Sequence, residues 1–340
     1  MIGGGASMAG DESAGNRERR WLDLQRQRHH SRRDFAEYQF HSARFRVRDE
    51  LVPLTGKDQP RLLDVGCGLG GLAVAYAAGG AVVTAVDTEL YDADSLEFAR
   101  SFAATKGAEV EFLGVPETDW PMPDASFDVV LLDSVVEHAP DPQRLLLESA
   151  RVLRPGGWML ISFPVFYGPF GGHIDDYIRI PWWHLLPKTL VRASLRHRRP
   201  RGGYVTPELS IGMFNSLNRM TLRRFQRLLE PLPLELVSLR RAAFLTAPGN
   251  QLVHDVRTAL ARSDRRAAWA ALRRAPRDFS LVDACLFLCL LPTLPLMRVP
   301  LLRELFLGGV RAKLRKVESL IREQAFDPSE HQSGNDRATP

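Results

Sequence analysis

Arg61-Leu62-Leu63-Asp64-Val65-Gly66-Cys67-Gly68-Leu69-Gly70-Gly71-Leu72-Ala73-Val74-Ala75-Tyr76 runs from a short apolar segment into glycines and then resumes at helical spacing. That pattern specifies a strand, a tight turn and the start of a helix. Glycine suits the turn because the chain bends sharply there and a ligand must approach bare backbone. A second apolar run, Ala81–Val86, ends in Asp87. It lies roughly 20 residues past the turn, the separation expected of an acid that holds a ribose. A carboxylate at the tip of a second parallel strand can accept hydrogen bonds from both ribose hydroxyls. An adenosine-type cofactor is therefore expected.

Gly66, Gly68 and Gly71 also satisfy the dinucleotide spacing G-x-G-x-x-G, a weak signal by itself. Asp64 decides between the cofactors. A carboxylate inside the first strand, two residues before the first glycine, would face a pyrophosphate with the wrong sign. It suits a cofactor with a cationic amino group, such as S-adenosylmethionine. Downstream, Ser126–Asp133 reads as a fully buried strand, followed by Glu137-His138, Pro140-Asp141-Pro142, a helix over Gln143–Leu153, the turn Arg154-Pro155-Gly156-Gly157 and a strand over Trp158–Phe163.

This succession resembles the class I S-adenosylmethionine-dependent methyltransferases, in particular the subgroup related to ubiquinone-biosynthesis methyltransferases. The resemblance rests on Leu63–Gly70, Val86-Asp87, Pro121–Asp128, Val136-Glu137-His138 and Leu153–Gly157, and spans about Leu62–Pro164. It implies S-adenosyl-L-methionine as cofactor, with the backbone of Gly66, Cys67, Gly68 and Gly70 against its methionine part. Asp64 would bind the amino group, Asp87 the ribose, and Asp133 and Ser134 would line the methionine moiety. The loop after the third strand departs from the family pattern. Glu117 or Asp119 is the expected partner of the adenine amino group there, and Trp120 the ring that stacks on it.

Strands and helices alternate through Phe163, which demands a parallel sheet with helices on both faces. The resemblance implies an α/β fold, a doubly wound, mostly parallel seven-stranded sheet with insertions after strand 5 and before the last strand. The expected divisions are a mobile basic arm over 1–34, a cofactor-binding core over 35–164, a substrate-side insertion over 165–220, a core helix and strand over 221–243, an apolar helical insertion over 244–303, the last strand over 304–325 and a mobile tail over 326–340. Phe35–Leu54 reads as one helix with Phe35, Tyr38 and Phe45 near one side. Gly308-Gly309 is expected to kink the last strand.

Composition agrees with a large globular chain: 340 residues, 45% hydrophobic, net charge +5. The positive excess sits in the N-terminal arm and Arg192–Arg201, and interleaved acids with no binding fold argue against a nucleic-acid partner. Three cysteines (Cys67, Cys285, Cys289) form no disulfide framework, and no secretory signal precedes the core, so a cytoplasmic setting is expected. Leu281–Met297 is strongly apolar but shorter than the ~20 residues of a span, and it contains Asp283, Pro292 and Pro295. A buried or lid helix is the first expectation. Peripheral contact at the inner membrane surface is the alternative, which would suit a lipid-linked acceptor.

Methyl transfer asks for positioning more than acid–base chemistry, but a hydroxyl acceptor must lose a proton, for which histidine is the usual base. The candidates are His138, beside the cofactor strands, and His173 and His184 in the insertion. His173 is the preferred base, with Asp175 or Asp176 orienting its ring; a metal held by His-x-Asp-Asp is the minor reading, and none is expected. The expected reaction is O-methylation of a small-molecule or glycan hydroxyl in bacterial natural-product or cell-envelope metabolism. The alternatives are C- or N-methylation of a quinone-like or amine acceptor, or a non-catalytic cofactor-binding scaffold.

Overall fold

The computed structural model describes residues 30–43, 46–88, 94–198, 204–243, 263–278, 281–299 and 302–317, with Leu252, Val256, Ala259 and Leu260 besides. Strands β1 (Arg61–Val65), β2 (Val82–Asp87), β3 (Val110–Gly114), β4 (Phe127–Asp133), β5 (Leu153–Phe163), β6 (Leu234–Ala243) and β7 (Leu307–Lys316) form one sheet in the order β3-β2-β1-β4-β5-β7-β6. β1 to β5 pair in parallel, and β7 runs antiparallel to both β5 and β6. The order reverses between β1 and β4, so their carboxyl ends frame the crevice where such sheets bind ligands.

The central strands are mostly apolar because both faces are covered. Leu63, Val65, Val130, Leu132 and Ile161 belong to one core. Leu62, Val129, Leu131 and Leu160 belong to the other, on the opposite face. The expected seven-stranded, mostly parallel α/β sheet is the one found.

The local departures have physical causes. The first described helix, Arg32–Ala43, begins inside the expected mobile arm because the Ser31 hydroxyl accepts from the Asp34 amide (3.1 Å) and caps it. It does not continue smoothly to Leu54. A π-type turn over Val47–Leu51 leads into Val52–Thr55, which stops at Gly56 in the left-handed conformation (φ 66°). Phe45, most of the arm and the tail over 326–340 lie outside the described residues. β5 starts at Leu153 rather than Trp158, since buried Leu153 pairs with Phe127 across a register shift. In β7, Ala242 faces Gly309 and Ala243 faces Leu307, so Gly308 is the bulge expected of the Gly308-Gly309 pair.

After β5 the chain leaves the sheet and builds a satellite around Ile174, Tyr177, Ile178, Val191, Leu195, Val205 and Phe214, with helices Lys188–His197 and Pro207–Ser216. It rejoins the sheet side at Phe166, whose amide donates to the Met220 carbonyl (2.9 Å). The later insertion contributes helices Arg265–Asp278 and Leu281–Leu290 and a 3-10 segment over Leu291–Arg298. No helix among the described residues is long and apolar enough to cross a membrane.

Candidate functional site

The glycine turn closes at the carboxyl end of β1. Gly66 and Cys67 both donate to the Val86 carbonyl (2.8 and 3.0 Å), and Gly70 donates to Cys67 (2.9 Å), which ties the turn to the end of β2. The Gly68 amide donates to Asp87 Oδ2 at 2.7 Å. Gly68 has φ 51°, and a Cβ there would meet nothing within 4 Å. Sterics inside the protein therefore do not explain the glycine; a positive φ next to open space does. Gly71 is the converse case, since a Cβ would lie 2.5 Å from the Ala36 carbonyl. Helix Arg32–Ala43 thus packs directly on the helix Gly71–Ala78 that follows the turn.

Asp64 is 2% exposed, and its Oδ2 has no hydrogen-bond partner. Burial, reinforced by the nearby Asp133 and Asp87 charges, pushes its carboxyl well above the usual carboxylate range. Asp133 itself accepts a short hydrogen bond from the Ser162 hydroxyl, and Ser134, with φ 61°, donates its amide to the Ser162 carbonyl (2.8 Å). The turn out of β4 is in this way pinned to β5.

A pocket of about 160 Å³ opens beside Asp87, between the glycine turn, the loop after β3 and the turn after β4. Gly66, Glu117, Trp120, Ser134 and His138 line it. Trp120 is buried, with its indole N–H donating to the Pro116 carbonyl (3.1 Å). Asp119 is directed elsewhere: its side chain is 83% exposed and lies 3.8 Å from Arg144. Of the two acids expected at the adenine end, only Glu117 faces the pocket. The loop is held by Arg151, which donates to the Met122 and Trp120 carbonyls (2.9 and 3.2 Å) and pairs with Glu148. Glu148 in turn accepts from the Trp120 amide (2.9 Å).

On the other side of the sheet edge, a second cavity of about 190 Å³ is lined by Arg46, Glu50, Tyr76, Asp133, Arg240 and Arg311, among others. Arg46 lies within reach of the Tyr76, Asp133 and Glu50 charges; burial lowers its pKa, but these partners outweigh it and hold the guanidinium above its ordinary value. Burial pushes the Tyr76 hydroxyl up to about 12. Arg46 thus places a cation near Tyr76 and Asp133.

The turn after β4 carries Glu137 and His138. Asn218 splints it: its side-chain amide donates to the Val136 and Ala139 carbonyls (2.8 Å each), and its backbone amide donates to the Glu137 carbonyl (2.9 Å). Ser216 donates to Met213 O (2.7 Å), so its oxygen accepts from His138 Nδ1 at 2.7 Å. That tautomer leaves the lone pair of His138 on Nε2. Burial, with the His173 charge nearby, pushes His138 down to about 3, so the ring is neutral at any ordinary pH.

His173 sits edge-on to His138, ring centroids 4.8 Å apart, with its backbone at φ 52°. Its Nε2 lies 3.5 Å from Glu137 Oε1, not hydrogen-bonded to it, and its side chain is 21% exposed. Burial lowers the ring's pKa, yet the Glu137 carboxylate outweighs burial and holds it above the imidazole value; burial raises Glu137 in turn. The carboxylate that faces His173 is thus Glu137 from the core, while Asp175 and Asp176 act on the ring through their charge. His184 is 3% exposed with Nε2 on the Phe166 carbonyl (2.7 Å), and it packs the insertion. Sequence reading left Glu137, Arg46 and Asn218 out of the site; only Glu137, next to a histidine just after a buried strand, gave any signal of its own.

Residues 63–161 match the family model described as "Methyltransferase domain". These residues form a class I methyltransferase domain. The match covers the glycine turn, Asp87 and the Glu137-His138 turn. An uncharacterized methyltransferase of Mycobacterium sp. (strain JLS) is 41% identical over 112 residues, 33% of this chain and 42% of that protein. A ubiquinone biosynthesis O-methyltransferase of Thiobacillus denitrificans is 36% identical over 126 residues, 37% of this chain and 52% of that protein. The chain therefore spans about half the length of the curated relatives it matches. The methyltransferase fold also resembles a putative sarcosine dimethylglycine methyltransferase from Galdieria sulphuraria, 18% identical, over 81% of each chain, with a TM-score of 0.44. The matched segment ends before the insertion that supplies His173 and Asn218.

Proposed function

We propose that the chain transfers the methyl group of S-adenosylmethionine to a hydroxyl of a small-molecule or glycan acceptor, in natural-product or cell-envelope metabolism. The observation that carries the cofactor is Asp87 held against an open glycine turn, with the buried Asp64 carboxylate behind it, one oxygen of which has no hydrogen-bond partner. The donor set fits the group. Asp64 matches a primary ammonium, Arg46 a carboxylate, Asp87 a ribose and Glu117 an adenine amino group. When bound, the cofactor supplies a methyl group already activated on a sulfonium.

The protein's own task is then to place the acceptor in line and dispose of a proton. Glu137, His138 and His173 stand together at the pocket edge, His138 among its lining residues. The acceptor oxygen docks against this cluster; its O–H proton leaves there as the O–CH3 bond forms and the S–CH3 bond breaks, leaving the thioether. The O-methyltransferase name of one relative supports oxygen as the accepting atom.

Calorimetric titration of the full chain with S-adenosylmethionine tests the cofactor. One-to-one binding is expected, and no heat at millimolar cofactor overturns the reading. Transfer of labelled methyl to hydroxylated acceptors tests the reaction. Label appearing only on amine or carbon acceptors would move the assignment to those classes.

A further inference from the structure

Glu137 is a buried acid that faces His173 across 3.5 Å. The residue is 1% exposed, and neither carboxylate oxygen has a hydrogen-bond partner. Buried polar atoms left in that state are costly. His173 Nε2, 3.5 Å from Glu137 Oε1, is also without a hydrogen bond. Natural proteins rarely leave two facing polar groups so placed unless something sits between them.

We propose that Glu137, His138 and His173 bind a divalent metal ion at the acceptor side of the cofactor pocket. One ligand atom from each of the three lies within 4.8 Å of the other two. Metal–ligand bonds of about 2.0–2.2 Å in a tetrahedron place ligand atoms roughly 3.4 Å apart. The 3.5 Å between His173 Nε2 and Glu137 Oε1 has that value already, and a ring nitrogen of His138 lies within 4.8 Å of both.

The supporting shell is built. The Ser216 oxygen takes the Nδ1 proton of His138 and fixes the tautomer that turns a lone pair outward on Nε2, as outer partners of ligating histidines do. Asn218 clamps the turn that carries both Glu137 and His138. The left-handed backbone at His173 brings the third ligand from the insertion, 35 residues along the chain (173 minus 138). Two imidazoles and one carboxylate with a position left open form the donor set of catalytic zinc, and also suit iron(II).

This site deepens the methyl-transfer reading and rests on it. An acceptor hydroxyl that replaces the metal's water would be acidified at the same cluster; because its three side chains then hold the ion, the proton that leaves there would pass to solvent and the oxyanion would stay beside the pocket. The donor set favours an acceptor able to reach a borderline-soft ion through oxygen, such as a phenol, a catechol or a vicinal diol.

The test uses the full chain, dialysed against a chelator and titrated with Co2+ as the spectroscopic probe and Zn2+ in calorimetry. One equivalent is expected, with visible d–d absorption of a low-coordinate site. His173→Ala and Glu137→Gln each weaken binding by at least about 100-fold. Ser216→Ala, which removes an outer partner only, costs 10–100-fold. Circular dichroism and S-adenosylmethionine titration of each variant separate ligand loss from misfolding. Where Glu137→Gln fails to fold, His173→Gln, on the insertion, takes its place. No saturable one-to-one binding, or equal affinity in wild type and a folded His173 variant, overturns the metal site. S-adenosylmethionine binding and methyl transfer that persist in chelated protein would overturn it alone, whereas metal binding without any cofactor binding overturns the methyl-transfer reading.

Discussion

Asp87 at the end of β2 and Gly68 in the turn after β1 are joined by a 2.7 Å hydrogen bond from the glycine amide to the carboxylate. The bond does two things at once. It shapes the turn so that Gly68 stays left-handed over open space, and it fixes the carboxylate at the pocket wall. The acid proposed for the ribose thereby also organises the backbone of the glycine turn.

Asp87→Ala and Gly68→Val are each expected to abolish measurable S-adenosylmethionine binding in a folded protein. The first removes a charged acceptor worth about 1.5–3 kcal/mol per hydrogen bond. The second puts a β-branched side chain at a positive φ, into the space the ligand occupies. Calorimetry on the two variants is the check, with circular dichroism to confirm folding; wild-type affinity in either contradicts the cofactor assignment.

Asp64 gives a prediction in pH. Its carboxyl is raised by burial and by its acidic neighbours, so between the usual carboxylate value of about 3.9 and its raised value it is protonated in the free protein. Keeping it ionised costs stability as pH rises through that window, since the unfolded chain loses this proton first. An arriving ammonium group favours the ionised form, so cofactor binding releases protons at the acidic side of neutrality and fewer as pH rises. Binding enthalpies measured in buffers of different ionisation heat report this directly. Buffer-independent heats at pH 6, together with full affinity in Asp64→Asn, would remove Asp64 from the site.

Arg151 supports the adenine end from outside the pocket. Arg151→Met breaks its bonds to the Trp120 and Met122 carbonyls and its pairing with Glu148 while preserving much of the side-chain bulk. The loop carrying Glu117 and Trp120 loosens, and S-adenosylmethionine affinity should fall by roughly 10-fold, the worth of a hydrogen bond or two. The maximal rate at saturating cofactor stays near wild type. A variant with unchanged affinity and a collapsed rate would place this loop with the acceptor instead.

The glycine turn and the acid that caps it, Asp87, were legible because their signals are local. A glycine turn after an apolar run, and an acid one strand later, are fixed by backbone conformation within about 25 residues. The acceptor half depends on where an insertion folds back. His173 was readable as a candidate, but its partner was sought nearby, in Asp175 and Asp176. The carboxylate facing it is Glu137, brought close by the return of the chain through Asn218. The same limit applies to Glu117 and Asp119: two residues apart in one loop, they are sorted only by the positive φ of Asp119 (63°), which carries it out to Arg144. Arg46 was hidden because Phe35–Leu54 reads as one continuous α-helix, whereas the chain turns π-type from Val47 and this arginine lines the second cavity.

Asn218 joins the insertion to the turn that carries Glu137 and His138, and its replacement separates positioning from binding. Asn218→Ala removes two 2.8 Å hydrogen bonds and leaves the Val136 and Ala139 carbonyls without that donor. Stranded acceptors of this kind cost about 1–3 kcal/mol of stability. The turn holding Glu137 and His138 then gains freedom, while Asp87 and the glycine turn, anchored through Val86, keep their geometry. Turnover should drop by about tenfold or more with S-adenosylmethionine affinity within about twofold of wild type, because misplacement of groups that contact the acceptor is felt in the rate. Asn218→Asp should be worse than Ala, since it sets a carboxylate against two carbonyl oxygens in place of two N–H donors. Steady-state kinetics at saturating cofactor, run beside calorimetry, tell the outcomes apart. Loss of cofactor affinity at unchanged maximal rate would mean that the Glu137-His138 turn serves the cofactor, and that the acceptor docks elsewhere on the sheet edge.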